Sequence, residues 1–161
     1  MISNPGERYL AEVNIGRVRG GTDDPRMDDF YGSLARINAL AERMPGFVWR
    51  LKDETGDSAM ALHWPGDPTM NVNLSVWENA EALGRFVFQT VHRRIYARKH
   101  EFFEMPDRPM FTLWWVEPGH LPTLEEAKER LDHYRAHGPS DFAFGWADLP
   151  SAKAFTERSC A

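Results

Sequence analysis

Residues 70–78 read MNVNLSVWE, and their alternation decides the fold class. Val72, Leu74 and Val76 share one side of an extended chain, because successive side chains of a strand point to opposite faces. The positions on the other side are mostly polar and are Asn71, Asn73, Ser75 and Trp77. The stretch therefore predicts a β-strand with one apolar face and one mixed face.

Strands and amphipathic helices alternate along the rest of the chain. Alternation predicts strands over residues 9–18 and 47–52, and a continuous apolar run predicts a strand over residues 110–116 that is central or covered on both faces. Apolar residues that recur every three or four positions predict helices; these cover residues 25–44, residues 79–104 with a break near Gln89-Thr90, and residues 123–137. The order strand, helix, strand, strand, helix, strand is that of the α+β ferredoxin-like fold, a split βαβ sandwich.

The two faces of this antiparallel sheet are expected to differ, because the two helices between the strands cover only one of them. We expect the apolar residues of the first and third strands under the helices, namely Ala11, Val13, Ile15, Val72, Leu74 and Val76. The other face then carries Asn14 and the polar side of residues 70–78. We predict that this open sheet face packs on a second copy as a homodimer, which encloses a cavity for a small-molecule ligand.

Composition narrows the classes of function. The 161 residues, 42% hydrophobic and 27% charged, predict a single globular domain over residues 1–161, with residues 140–161 as a C-terminal extension. A net charge of −5 disfavours a nucleic-acid partner, and no apolar run reaches the ~18–20 residues that a membrane span needs. Met1–Glu7 has no signal-peptide pattern. The single cysteine, Cys160, cannot form a disulfide within the chain, so we predict a cytoplasmic protein.

Several segments resemble a bacterial family that is catalogued as a domain of unknown function. They are LAEVNIGRVR at 10–19, INALAERMPGFVWRL at 37–51, NLSVWENAEAL at 73–83, FVFQTVHRRIYARKHEFFE at 86–104 and LWWVEPGHLPTLEEAKERLDHYRAHGP at 113–139. The resemblance covers residues 8–146 and is most specific over residues 114–139. That family looks like a branch of the dimeric α/β-barrel superfamily, which includes the antibiotic-biosynthesis monooxygenases.

The resemblance implies a dimeric α/β barrel with a pocket and leaves the reaction open. Members of that superfamily include cofactor-free oxygenases of aromatic substrates, lactone isomerases, polyketide cyclases and haem-binding proteins. The leading hypothesis is an enzyme without a cofactor, monooxygenase-like or isomerase- or cyclase-like, that acts on a small apolar, aromatic or polyketide-like substrate. One alternative is a non-catalytic ligand-binding or stress-response barrel, and a second is a haem-binding protein.

Two residues of the second helical region are the candidate catalytic groups. His92, Tyr96 and His100 are spaced four residues apart, so a continuous helix would place them on one side. The imidazole of His92 titrates near neutrality and can carry a proton, and the phenol of Tyr96 can donate to a developing oxyanion. The alternative is a partly buried helix face whose polar tips reach the backbone or water.

The mixed sheet face supplies the candidate substrate-binding groups. Amides and a hydroxyl on neighbouring strands could hold a carbonyl or enolate oxygen; these groups are Asn14, Asn71, Asn73 and Ser75. Trp77 and Trp114 are predicted to line the same pocket. The alternative is that the amides satisfy one another across a solvated face.

A metal site is not predicted. Two helical turns separate His92 from His100, whereas helical zinc ligands sit one turn apart. A haem would need only one axial histidine, so haem binding stays open. The sequence has no phosphate-binding glycine loop and no nucleophile elbow, which disfavours nucleotide-dependent chemistry and serine hydrolysis.

Overall fold

The strands form one antiparallel sheet in the order β2-β3-β1-β4. The computed structural model describes residues 1–56 and 58–151. The elements are β1 (Tyr9–Arg17), α1 (Asp28–Arg43), β2 (Phe47–Arg50), β3 (Met70–Trp77), α2 (Ala80–Gln89), α3 (His92–Ala97), α4 (Lys99–Phe102), β4 (Phe111–Val116) and α5 (Leu124–His137), with short 3-10 turns at Pro25–Met27 and Trp146–Asp148. Element order and strand order confirm the ferredoxin-like α+β fold.

Polar side chains cap the first 3-10 turn and the helices α2 and α5. The side chains of Asp24, Asn79 and Thr123 each accept a hydrogen bond from a backbone N–H in the first turn that follows. The side chain of Glu126, the third residue of α5, accepts hydrogen bonds from Trp114 Nε1 at 3.0 Å and His120 Nε2 at 2.6 Å. This carboxylate therefore ties α5 to β4.

The helices α1 and α2 cover the mixed face of the sheet, so our prediction that this face is open was wrong. Trp77 lies fully buried in one core cluster with apolar residues of both helices, including Ala41 and Leu83. The apolar set that was expected there faces the other way; Ala11, Val13, Ile15, Val72, Leu74 and Val76 pack against α5 and against Trp64 of the β2–β3 connection. Both faces of the sheet are thus covered within one chain.

The strand β2 contains an irregularity that alternation could not show. Phe47 pairs with Trp77 and Trp49 with Val76, so the register shifts between them. Phe47 therefore packs under the helices, while Trp49 packs on the opposite face. Alternation alone would place both residues on one face, and they differ because the bulge adds one residue to the strand.

The strand β4 lies at an edge of the sheet and is covered on both faces. Leu113 exchanges two backbone hydrogen bonds with Phe144, at 2.7 and 2.9 Å, so the segment after α5 shields this edge. Residues 152–161, the remainder of the predicted extension, and with them Cys160, lie outside the described residues. In the described part of the chain no helix has the length and apolar character of a membrane span.

The expected dimer surface needs correction. A homodimer through the face of Asn14 and Trp77 is incompatible with the fold, because α1 and α2 occupy the space that a second copy would need. Homodimerisation itself stays a prediction, and it requires another surface.

Gly46 makes the turn between α1 and β2 and provides a test of this packing. Its φ is +86°, and a Cβ there would come within 2.5 Å of the Ala82 Cβ on α2. We expect Gly46→Ala to lower the free energy of unfolding by about 2–4 kcal/mol. The loss combines backbone strain with a steric clash that neither alanine side chain can relieve by rotating.

Gly66→Ala is the matched control for this prediction. Gly66 has φ +83° and nothing within 4 Å of a built Cβ, so it carries the strain without the contact. Urea unfolding should show a loss of only about 1 kcal/mol for Gly66→Ala. Equal losses for the two variants would mean that α2 does not press on the turn.

Candidate functional site

A buried carboxyl group lies at the centre of the helix-covered face. Glu12, on β1, is 4% exposed. Its Oε1 accepts a hydrogen bond from Ser75 Oγ at 2.7 Å, and its Oε2 accepts one from Asn14 Nδ2 at 3.2 Å. Trp77 Nε1 donates to the same Ser75 oxygen at 2.9 Å. These groups meet because the β1–β3 register places Glu12 opposite Ser75, and Trp77 lies two residues further along the same face.

Burial makes this carboxyl group an acid–base group near neutral pH. Loss of solvent raises the pKa of Glu12 from 4.5 to about 7, although the hydrogen bonds from Ser75 and Asn14 act in the opposite direction. Within residues 1–56 and 58–151, no lysine, arginine or histidine forms an ion pair with Glu12. A carboxyl group with a pKa near 7 can both accept and return a proton at physiological pH.

Polar side chains lead from solvent to this group. Asn14 and Asn73 are register partners in the row next to Glu12, and both are exposed. Asn71 lies one row further, opposite Gly16, and is half-buried. The helix-covered face therefore has an open end lined by amides and a closed end that holds the carboxyl group.

Aromatic rings connect this polar row to the predicted catalytic pair. Trp77 stacks on Phe86 with centroids 5.3 Å apart, and Phe86 contacts the ring of His92 at 4.9 Å. The His92 Nδ1 lies 3.3 Å from the Val87 carbonyl oxygen, and partial burial lowers the pKa of His92. A neutral imidazole that donates from Nδ1 to this carbonyl keeps Nε2 as a proton acceptor.

The predicted stripe of His92, Tyr96 and His100 is interrupted. His92 begins α3 and its ring stacks on Tyr96 with centroids 6.3 Å apart, but His100 belongs to the separate helix α4 and is exposed. Tyr96 is 43% exposed, with the Lys99 Nζ 4.5 Å from its ring centroid. Only His92 of the three contacts the aromatic rings that reach the buried carboxyl group.

Trp114 does not share a pocket with Trp77, so this part of the prediction was wrong. Trp114 is the register partner of Ala11 and lies on the opposite face, in the core cluster under α5. Its Nε1 donates to Glu126 Oε1 at 3.0 Å. The error has a plain cause: the 110–116 run is apolar on both faces, so alternation gave no information about which side each tryptophan takes.

Glu12 is the residue that sequence reasoning missed. Its strand face was expected to line a cavity between two copies, but Glu12 itself was given no role there. The available signal was its place on the same strand face as Leu10 and Asn14. The neighbouring strand β3 adds Trp77 to this face, and a large aromatic side chain indicates that the face is buried. A carboxyl group in such a row is unusual unless it has a function.

The described part of the chain offers no set of metal ligands. Across residues 1–56 and 58–151, no three histidine, cysteine, aspartate or glutamate side chains lie close enough together to hold a metal ion. The helical pair His133 and His137 has ring centroids 4.6 Å apart but no third ligand of this kind in the described residues.

The raised pKa of Glu12 predicts how stability depends on pH. The folded state keeps the Glu12 proton up to about pH 7, so this group stabilises the fold below about pH 4.5 and loses that contribution as the pH rises through 7. The shift corresponds to about 3 kcal/mol. We expect Glu12→Gln to be more stable than the wild type by up to about 3 kcal/mol near pH 8 and similar near pH 5, as measured by urea unfolding across this range.

Glu42→Gln is the control, because its expected change in the free energy of unfolding has the opposite sign. A hydrogen bond from Lys52 lowers the pKa of Glu42, so this carboxylate stabilises the fold above its unfolded pKa. Its replacement should therefore reduce stability near neutral pH. A difference between Glu12→Gln and the wild type that does not change with pH would contradict the burial of an ionisable Glu12.

Comparison with solved structures gives several that are similar to this chain. SnoaB, a cofactor-independent oxygenase from Streptomyces nogalater, is 20% identical with a TM-score of 0.44, over 72% of this chain and 99% of that chain. NE2512, a protein of unknown function from Nitrosomonas europaea, is 13% identical with a TM-score of 0.47, over 73% and 97%. A monooxygenase from the gene ActVA-Orf6 of Streptomyces coelicolor, in complex with nanaomycin D, is 21% identical with a TM-score of 0.39, over 74% and 96%.

Sequence comparison identifies the family. A search of curated proteins gives no match. A family model matches residues 9–160, nearly the whole chain, which confirms the resemblance stated from the sequence. This protein belongs to DUF3291, a family described as a domain of unknown function.

Proposed function

We propose that this protein is an enzyme that removes a proton from a small, weakly acidic aromatic or polyketide-like substrate, with Glu12 as the general base. One observation carries the proposal: the Glu12 carboxyl group is buried without a cationic partner in the described chain, and its pKa is about 7. Proteins rarely bury an unpaired carboxyl group, because burial costs free energy that a neutral residue would save. Groups with such shifted pKa values concentrate at functional sites.

The residues around Glu12 have complementary roles in this proposal. The exposed amides of Asn14 and Asn73 lie one row away and can donate hydrogen bonds to an oxyanion that forms as the proton leaves. Asn71 extends this row of amides, and Ser75 orients the carboxylate. Trp77 is buried and stacked on Phe86, and its Nε1 donates to Ser75, so it holds in place the hydroxyl that bonds to Glu12.

His92 and Tyr96 keep a place in the mechanism as proposed proton carriers. The neutral imidazole of His92 has Nε2 available as an acceptor once Nδ1 bonds to the Val87 carbonyl. Tyr96, stacked beside it and partly exposed, can donate to the substrate oxygen at the outer end of the site. Glu12 takes the first proton because its pKa is about 7, whereas burial lowers the pKa of His92 below its ordinary value and makes the imidazole the weaker base.

Proton abstraction serves both reaction types that the sequence suggested. Return of the proton to a different carbon gives an isomerase- or cyclase-like reaction. In a monooxygenase-like reaction, the carbanion reacts with O2: one oxygen atom becomes a substrate carbonyl, the other leaves as water with the two hydrogens of the former CH2 group, and the substrate supplies all the electrons. Neither reaction needs a cofactor.

Anthrone provides a test, because removing a proton from its CH2 group generates an aromatic phenolate. We expect the wild-type protein to accelerate deuterium exchange at this carbon without O2, and to accelerate O2 uptake with formation of anthraquinone in air. The rate should rise with pH as Glu12 ionises near pH 7. Glu12→Gln should lower the exchange rate by about 10²–10⁴-fold, the usual contribution of a general base.

Ser75→Ala separates the base from its surroundings. Loss of the Ser75 hydrogen bond removes an interaction that lowers the pKa of Glu12, so the midpoint of the pH–rate profile should move to higher pH while exchange persists. His92→Gln and Tyr96→Phe should reduce the rate less than Glu12→Gln does. Full exchange activity in Glu12→Gln would refute the proposed base.

The rival classes give different results in the same preparation. A non-catalytic binding barrel would bind anthrone without accelerating exchange, and a haem protein would show a Soret band after purification.

We also propose, from the family resemblance, that the protein is a cytoplasmic homodimer. Light scattering at micromolar concentration measures the assembly, and a monomer would contradict it.

A further inference from the structure

A small polar cavity lies beside the site, where the first half of β3 extends past its pairing with β2. Its volume is about 40 Å³, the space of one or two water molecules or of one small polar group. It is bounded by α1, by the end of β2, by the first half of β3 and by the start of the β2–β3 connection. The polar side chains around it belong to Asn38, Arg50, Ser58, Asn71 and Asn73.

Arg50 brings buried hydrogen-bond donors to this cavity. The residue is 7% exposed. Its Nε donates to Glu42 Oε1 at 3.0 Å, and its Nη2 donates to the Gly56 carbonyl oxygen at 2.5 Å. A guanidinium group has five N–H donors, so subtracting these two leaves three that make no hydrogen bond within residues 1–56 and 58–151. These donors are available to an acceptor that enters the cavity.

The carboxylate that pairs with Arg50 is shared with a second cation. Lys52 Nζ also binds Glu42 Oε1, at 2.6 Å, so two cations share one carboxylate. The next acid along the chain, Asp53, is engaged by its own loop, through hydrogen bonds from Thr55, Ser58 and the Ala61 backbone N–H. An anion in the cavity would give Arg50 an acidic partner that it does not share with Lys52.

The cavity and the buried carboxyl group belong to one surface of the sheet. Arg50, Ser75 and Glu12 are register partners in a single row across β2, β3 and β1. Because neighbouring strands lie about 4.8 Å apart, the backbones of Arg50 and Glu12 are separated by about 10 Å. Asn73 lines the cavity and also forms the amide row beside Glu12, so it joins the two places.

We propose that the cavity at Arg50 binds a carboxylate group of the ligand. The planar guanidinium fork matches a carboxylate with two parallel hydrogen bonds, and the amides of Asn71 and Asn73 can donate to the same oxygens. The substrate is then an aromatic or polyketide-like acid whose carboxylate sits at Arg50 and whose acidic carbon faces Glu12. The second half of this statement rests on the proposed function of Glu12; the carboxylate subsite does not.

Binding of two isosteric probes tests the subsite. Calorimetric titration compares 2-naphthoate, which carries a carboxylate, with 2-naphthamide, which carries a neutral amide of the same shape. We expect the wild-type protein to bind the carboxylate about tenfold or more tightly than the amide, the usual effect of hydrogen bonds to a charged group. Equal affinities, or no binding of either probe at millimolar concentration, would overturn the proposal.

Variants around the cavity test whether Arg50 causes the preference for the carboxylate probe. Arg50→Met should abolish the preference for 2-naphthoate, whereas Lys52→Met, which removes the exposed cation from the same Glu42, should keep it. If Arg50→Met does not fold by circular dichroism, Asn71→Asp provides the second test, since it adds a negative charge to the cavity wall and retains Arg50. A preference that survives in a folded Arg50→Met, or in Asn71→Asp, would overturn the assignment.

Glu12→Gln separates this inference from the proposed reaction. The variant should lose anthrone exchange and keep the preference for 2-naphthoate, because Glu12 does not line the cavity at Arg50. Absence of exchange in the wild type, together with an intact preference for the carboxylate, would refute the reaction and leave the subsite standing.

Discussion

The pairing of β1 with β3 is the constraint on which both the core and the candidate site depend. These strands pair along their whole length, from Leu10 opposite Trp77 to Arg17 opposite Met70. They are also the two central strands, so each has neighbours on both edges. A shift of one residue would turn every side chain of β1 to the other face, and Glu12 would then point into the apolar cluster under α5.

The two faces of the sheet contribute differently to the protein. The face under α5 is almost entirely apolar, and its burial supplies hydrophobic stabilisation. The face under α1 and α2 combines large apolar side chains with a carboxyl group, a hydroxyl and amides. An unpaired buried carboxyl group reduces stability, so the rest of the fold has to compensate for Glu12. Such a loss of stability is typical of residues whose role is chemical and not structural.

Distance across the sheet keeps the charged groups of the helix-covered face independent. Arg50 and Glu12 share a row, but Ser75 lies between them, and Arg50 pairs with Glu42 on α1 instead. A direct ion pair would pull the pKa of Glu12 well below neutrality and remove its ability to act as a base. The separation therefore preserves a basic carboxylate at one place and free cationic donors at another.

The sequence by itself determined the order of strands and helices, the polar caps of α2 and α5, and the groups of residues that share a face on β1 and β3. These are local properties: alternation within 70–78 and 9–18, and polar caps such as Thr123, act over a few neighbouring residues. Only the tertiary structure decided which face the helices cover, on which side Trp114 lies, and that Glu12 is buried. Alternation has a period of two and treats both faces of a strand alike, whereas helix position, the β2 bulge and solvent exclusion around a carboxyl group arise from contacts between residues far apart in the chain.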